Sequence, residues 1–183
     1  KFTFSINNDD KENVICGMIQ NIKLVMEKKL IQMTNIDDQM IFNLISRCFE
    51  SDNRILRMNG FDLLNSCLLY NSKNHENFFK IGPSLIECIK PFDIEFGFFE
   101  VIKFLKKIDT NLLTEKIVSS IQKRPIETLQ FLSEKIQDES IKDFLTLNET
   151  VIEAVFDFTN QNDCDIKSLS ILVASQLAPE KFF

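Results

Sequence analysis

Hydrophobic residues recur along most of the chain at intervals of three and four, the period that places them on one face of an α-helix. Short polar stretches separate these periodic segments from one another. Asparagine and aspartate stand at several of the junctions, where their side chains can cap a helix. We therefore predict successive helices over residues 9–32, 36–49, 53–70, 75–81, 83–90, 93–108, 110–123, 125–137, 140–147, 149–160 and 163–178.

The same periodicity predicts which side chains of the first three helices face the core. For the third helix it predicts that Gly60 is an interior residue that weakens the helix without ending it. The predicted core residues are Val14, Ile15, Met18, Ile19, Ile22, Val25, Met26, Met40, Ile41, Leu44, Ile45, Cys48, Phe49, Ile55, Leu56, Leu63, Leu64, Cys67 and Leu68.

Only the first six residues alternate in the manner of a β-strand, with Phe2, Phe4 and Ile6 on one side. A lone strand leaves its edges unpaired, so we expect an extended segment over residues 1–8 that lies against the helices. The prediction for the whole chain is one all-α domain, 1–183, with stacked helices over 9–178 and a tail over 179–183. Lys1 in place of an initiator methionine is compatible with a fragment of a longer chain.

The spacing of the helix starts indicates how the helices are arranged. Successive starts are mostly 14 to 24 residues apart, so that two helices and their turns make a unit of roughly 35 to 45 residues. Helical-hairpin solenoids have this period, and each hairpin buries its apolar face by stacking on its neighbours. We predict a right-handed solenoid of about ten helices; an irregular globular bundle is the alternative that the same helices permit.

Two glycine-containing segments resemble the corner between helices of an armadillo repeat. They are "FFKIGPSLIECI" and "MNGFDLLNSCL", in which apolar residues follow the glycine at helical spacing. The resemblance to the armadillo/HEAT superfamily implies that Gly82 forms a tight turn and that Pro83 begins a new helix. It further implies that Leu85, Ile86 and Ile89 face the core. In the armadillo pattern an apolar residue separates glycine from proline, whereas here Pro83 follows Gly82 directly.

The net charge and the cysteine content narrow the classes of binding partner and the cellular compartments that we expect for this protein. The net charge of −6 disfavours nucleic acid, because an acidic protein gains little from the release of counterions. The five cysteines are unevenly spaced and form no Cys-x-x-Cys pair, which indicates reduced thiols in a cytoplasmic or nuclear protein. No apolar run reaches the ~18 residues that a membrane span requires, and no signal peptide opens the sequence.

The sequence offers little for catalysis or for metal binding. His75 is the only histidine and lies in a polar stretch with no evident orienting partner, so we interpret it as a solvated residue. Most of the paired carboxylates, such as Asp138 with Glu139 and Asp163 with Asp165, lie where helices begin and are explained by capping and by the helix dipole. No zinc pattern, calcium loop or glycine-rich phosphate loop is present. We predict neither a cofactor nor a catalytic residue.

Basic side chains at helical spacing are the best candidates for contacting a partner. Steps of three and four bring several lysines to one side of the helix predicted at 93–108, and further basic residues follow on the next helix. Phe98, in the Phe-rich helix predicted at 93–108, is a candidate exposed contact for a partner. A helix that is buried on all sides would also explain this concentration of phenylalanine. The candidate partner-binding residues are Arg54, Arg57, Phe98, Lys103, Lys106, Lys107, Lys116, Lys123 and Arg124.

These observations predict a non-catalytic scaffold or adaptor that binds a peptide or protein through a helical-repeat surface. The alternative is a helical-bundle enzyme or small-molecule-binding domain with its site between helices. A third hypothesis is a subdomain that packs against further parts of the same chain. The oligomeric state does not follow from the sequence.

Overall fold

The computed structural model of this protein describes residues 8–28, 38–70, 75–90, 93, 102, 104, 105, 107 and 109–181. Within these residues nine α-helices and one short 3₁₀ helix can be given bounds, residues 102, 104 and 105 are also helical, and no residue is in a β-strand. The helices are α1 Asn8–Glu27, α2 Asp38–Glu50, α3 Arg54–Tyr70, α4 His75–Cys88, α5 Thr110–Lys123, α6 Pro125–Lys135, α7 Glu139–Thr146, α8 Glu149–Phe156 and α9 Cys164–Leu177, and the 3₁₀ helix is Pro179–Lys181. The all-α prediction is confirmed.

Side-chain caps fix where the later helices begin. Asp109 accepts a hydrogen bond from the amide of Leu112, and Asn148 accepts one from Val151. Asp138 and Asp163 likewise accept bonds from the first turns of α7 and α9, as their interpretation as capping residues predicts. Pro125 opens α6, where its missing N–H costs no helical hydrogen bond. Each cap satisfies amides that a helix start would otherwise leave unpaired.

The chain divides into two compact units, Lys1–Ile81 and Gly82–Phe183. In the first, α3 is the central helix and packs against both α1 and α2. A three-residue turn joins α2 to α3, and the rings of Phe49 and Phe61 meet across this hairpin with their centroids 4.5 Å apart. The core of the unit is therefore built around α3.

In the second unit, α9 packs against α6, α7 and α8, while α5 packs against α6 and α8. Its core consists of fully buried aliphatic side chains such as Ile117, Leu129, Val155 and Val173. Polar side chains also join these helices: the Thr128 hydroxyl donates to the carbonyl of Ser120, 3.1 Å away, and the Asn148 amide donates to the Thr114 hydroxyl. The single-domain prediction and the right-handed solenoid both stay predictions.

The predicted helix corner at Gly82 and Pro83 is wrong, because α4 continues through both residues. A residue before proline normally avoids the helical conformation, since its Cβ clashes with the proline ring. Gly82 has no Cβ and so removes part of this clash, which lets the helix continue at the cost of one backbone hydrogen bond. The core positions that the resemblance implies here are confirmed, since Leu85, Ile86 and Ile89 are buried.

The predicted cores of α1 to α3 are confirmed in most positions and wrong in a few. Ile19, Met26 and Leu64 are among the buried residues. Four predicted core side chains are instead exposed: Val14 by 39%, Met18 by 37%, Met40 by 48% and Ile55 by 60%. Four more are half-buried, namely Ile15, Ile22, Val25 and Leu68. Flanking helices cover one sector of each helix, and the apolar stripes are wider than that sector.

Several sequence predictions lie outside the described residues, among them residues 1–7 of the extended segment predicted at 1–8 and most of the helix at 93–108. The extended prediction is wrong for Asn8, which is the first residue of α1. Residues 102, 104 and 105 of the helix predicted at 93–108 are helical, and Ile102 and Leu105 are fully buried. Among the helices that the structure describes, none combines the length and the apolar character needed to cross a membrane.

Candidate functional site

The two arginines at the start of α3 have different environments. Arg54 is exposed, whereas Arg57 is only 6% exposed. The Nη1 atom of Arg57 donates to the carbonyl oxygens of Ser51 and Asp52, at 3.0 and 2.9 Å. Arg57 therefore holds the turn between α2 and α3, and little of it is accessible to a partner.

Lys116 also has a role inside the fold. Its Nζ atom donates to the carbonyl oxygens of Glu87 and Ile89, at 2.5 and 3.0 Å. These carbonyls lie at the C-terminal end of α4, where the helix dipole favours a positive charge. The amine of Lys116 thus caps α4 from α5, within the second unit.

The other predicted basic residues lie at the surface or outside the described residues. Lys107 and Lys123 are exposed. Arg124 is half-buried and donates to the Glu127 carboxylate, 2.6 Å away in the first turn of α6. The backbone amide of Glu127 and then the Arg124 guanidinium lower the pKa of this carboxyl. The remaining candidates, Phe98, Lys103 and Lys106, are not among the described residues.

The structure assembles no cluster of metal ligands in the part of the chain that it describes: no three His, Cys, Asp or Glu side chains converge there. His75 is the first residue of α4. Its side chain is outside the described set, so the interpretation of this histidine as a solvated residue stays a prediction.

All five cysteines are free thiols, and their environments range from the buried Cys48 and Cys67 to the exposed Cys164. Cys48 is fully buried in α2, beside α3. Burial, and secondarily the neighbouring Cys16, raise the pKa of the Cys48 thiol from 9.0 to about 12. Cys48 is therefore a protonated core residue at neutral pH rather than a nucleophile.

This pKa shift predicts that the Lys1–Ile81 unit loses stability in alkali. Because the folded state retains the Cys48 proton more tightly than the unfolded state, the stabilisation is complete below pH 9 and is lost as the pH rises toward 12. We expect about 1 kcal/mol of loss from this group between pH 8 and pH 10. Urea unfolding at both pH values measures it, and the Cys48→Ala variant should lose correspondingly less over the same interval. An equal loss in both proteins would rule out the assignment.

A surface that the sequence analysis missed lies on α3. Ile55 is 60% exposed, Met58 41% and Leu69 68%. Together with Asp62 and Asn65 these residues follow a spacing of three, four, three and four, so they occupy a sector of roughly 80° on the helix. We call these five residues the α3 seam. This spacing is visible in the sequence, but the sequence does not show which apolar face of α3 is covered by α1 and α2.

Polar contacts fix the direction of α1 beside α3. The Glu12 carboxylate accepts from the Asn53 side chain at 2.6 Å, before the start of α3. Further along α1, the Nζ atom of Lys23 lies 3.1 Å from Asp62 Oδ2, in the middle of α3. The two helices are therefore parallel, with both N-terminal ends at the same end of the pair.

The Lys23 contact also bears on the charge of the α3 seam. Asp62 is the only ionisable residue of the seam, and its negative charge is opposed by Lys23 from the same unit. The remaining members are three apolar side chains and one amide, which suits non-covalent binding of a complementary surface.

Comparison of the chain with protein-family models, with curated proteins and with solved structures finds no match.

Proposed function

We propose that this protein is a non-catalytic interaction module that binds a protein or peptide partner through the α3 seam. The observation that carries the proposal is the exposure of Ile55, Met58 and Leu69 on one helix face. Isolated exposed apolar residues are ordinary, but these three share one helix face, with the polar residues Asp62 and Asn65 between Met58 and Leu69. A surface that mixes exposed apolar and polar side chains in this way resembles a protein-binding surface. Arg54 borders this row at its N-terminal end and adds a residue type that is frequent in binding hot spots.

The order of helices in the first unit supports a helical-repeat architecture of armadillo/HEAT type. α1 and α3 are parallel, and α2 precedes α3 across a turn of three residues. In stacked helical hairpins every second helix runs in the same direction, as α1 and α3 do here. The exposed surfaces of such stacks commonly bind partners. The right-handed solenoid belongs to this proposal. The free thiols favour a reducing compartment, so we propose a cytoplasmic or nuclear location.

The basic residues predicted from the sequence have a secondary place in the proposal. Lys107, Lys123 and Arg124 lie on the second unit and could contact a partner independently of the α3 seam. The second unit also contains Phe98, Lys103 and Lys106, whose contacts with a partner stay predictions. Arg57 and Lys116 are omitted, because their side chains serve the fold.

The proposal predicts that positive charges introduced into the α3 seam by substitution greatly reduce the amount of partner recovered. The variant carrying Ile55→Lys and Leu69→Lys places two ammonium groups among the seam side chains, where a partner would have to desolvate them. We expect recovery of a specific partner from a lysate, quantified by mass spectrometry, to fall by at least about tenfold. Both substituted residues are exposed, so circular dichroism should show an unchanged fold.

The matched control is Leu147→Lys, because Leu147 is 88% exposed and lies on the second unit. It adds a charge to an exposed leucine without touching the seam, and recovery should remain as in the wild type. If the seam variant retains its partner, or if the control loses it equally, the α3 seam is not the binding surface.

A further inference from the structure

We propose that Asn59 and Gly60 form a deamidation site that is closed while α3 is folded and opens when the Lys1–Ile81 unit unfolds. The reaction needs only water, and its products do not fit the folded α3. The proposal is independent of the proposed function, because it concerns the lifetime of the folded unit and not the surface that binds a partner.

Asn59 and Gly60 are the only Asn-Gly pair in the sequence. In such a pair the main-chain nitrogen of the glycine loses its proton to water and attacks Cγ of the asparagine. The N–Cγ bond forms, the Cγ–Nδ2 bond breaks, and the amide nitrogen takes up a proton and leaves as ammonia. Water then opens the resulting succinimide ring and yields aspartate or isoaspartate. Glycine favours the attack because no side chain hinders its nitrogen and its backbone is the least restricted.

The folded α3 closes this reaction through its backbone and through the Asn59 side chain. Both residues lie inside α3, so the Gly60 amide donates to the carbonyl four residues earlier and is a poor nucleophile. Ring closure also requires the ψ angle of Asn59 to leave the helical region. The Nδ2 atom of Asn59 is held as well, because it donates to the Ile55 carbonyl at 2.9 Å and to Cys16 Sγ at 3.6 Å.

Neither product fits the place that Asn59 and Gly60 occupy. An aspartate carboxylate has no hydrogen to donate, so it would face the Ile55 carbonyl and Cys16 Sγ without bonding to either. Isoaspartate carries the main chain through its side chain and so adds a methylene group next to Gly60. This position has no spare room, since even a Cβ atom at Gly60 would lie 2.7 Å from Cys48 Cβ. A molecule that reacts while unfolded therefore loses the native packing of α3 permanently.

The rate of the reaction depends on how often the Lys1–Ile81 unit opens. Small domains refold within seconds or less, far faster than an amide is lost. Under these conditions the rate of modification follows the equilibrium population of the open state. The extent of deamidation therefore increases with the total time that the unit spends unfolded.

A single proteolytic peptide contains both the site and a matched control. Trypsin cleaves after Arg57 and Lys73 and releases residues 58–73, which hold Asn59 and Asn65. Asn65 lies on the same helix but is followed by serine, whose side chain hinders the attack. The intact chain, with its thiols kept reduced, is incubated at mildly alkaline pH in buffer and in a urea concentration that unfolds it. Mass spectrometry of the peptide then follows the conversion of each amide to an acid.

In urea we expect Asn59 to convert faster than Asn65, and in buffer we expect Asn59 to convert at least about tenfold more slowly than in urea. Leu64→Ala removes a fully buried side chain of α3 and should raise the rate in buffer by at least about tenfold. Equal rates in buffer and in urea, or an unchanged rate in Leu64→Ala, would overturn control by unfolding. Equal rates at Asn59 and Asn65 in urea would overturn the site itself.

Refolding tests whether the products fit the native structure. After a long incubation in urea the protein is returned to buffer, and the fluorescence of Tyr70, the last residue of α3, measures the fraction that refolds. We expect this fraction to fall in parallel with the conversion of Asn59. Asn59→Gln keeps the amide but disfavours ring closure, so it should refold equally well before and after the incubation. Complete refolding of converted wild-type protein would overturn the claim that deamidation is irreversible damage to α3.

Discussion

Replacement of Gly60 by alanine is expected to lower the free energy of unfolding of the Lys1–Ile81 unit by about 2 kcal/mol. A Cβ atom at this position would lie 2.7 Å from Cys48 Cβ and 3.0 Å from the Phe49 ring. The first distance is far below van der Waals contact, and Cys48 Cβ cannot move without its backbone. The hairpin of α2 and α3 must therefore open, which outweighs the gain of about 1 kcal/mol in helix propensity.

The matched control is Gly17→Ala on α1. No heavy atom would come within 4 Å of a Cβ atom at Gly17. The same substitution should therefore stabilise the unit by up to about 1 kcal/mol. The chain has one tyrosine, Tyr70, and no tryptophan, so tyrosine fluorescence during urea unfolding reports on the C-terminal end of α3. Equal effects of the two alanines would contradict the close approach at Gly60.

Arg57→Met is expected to cost about 3 kcal/mol in the same unit. The substitution keeps most of the apolar stem but removes the donor that serves the carbonyl oxygens of Ser51 and Asp52. Hydrogen bonds from a charged group contribute roughly 1.5 to 3 kcal/mol each, and both of these part-buried bonds are lost in the variant. Arg57→Lys keeps the charge without the planar guanidinium and should recover only part of the loss.

Arg54→Met, one helical turn earlier, is the comparison variant. Arg54 is exposed, and substitutions at exposed positions change stability by less than about 1 kcal/mol. Thermal unfolding followed by circular dichroism, with Tyr70 fluorescence as the local reporter, separates the two arginines. A small effect at Arg57 comparable to that at Arg54 would show that Arg57 does not hold the turn.

Helices with a strong local signal could be predicted from the sequence. Asp138 and Asp163 cap helices at the expected places, and Pro125 opens one, because capping and proline geometry act within a few residues. The same local logic failed at Gly82 and Pro83. There, glycine and proline together resemble a corner, yet glycine also relieves the steric conflict that would have ended the helix.

The candidate site depends on contacts that no local pattern encodes. Ile55 and Leu56 are adjacent and equally apolar, yet Ile55 is 60% exposed and Leu56 is 2% exposed. Which of them is buried depends on where α1 and α2 pack around α3. Likewise, Arg54 and Arg57 are the same residue type one turn apart, and only the position of the turn before α3 makes Arg57 a structural residue.

Methionine methyl NMR tests the central claim, that the α3 seam is the binding surface, most directly. Met58 belongs to the seam and is 41% exposed, while Met40 on α2 is 48% exposed and lies outside it. The two methyl groups thus serve as probe and control in a single spectrum of the wild-type protein. On addition of the recovered partner, we predict that the Met58 signal shifts or broadens and that the Met40 signal is unchanged. A perturbed Met40 beside an unchanged Met58 would contradict the proposal.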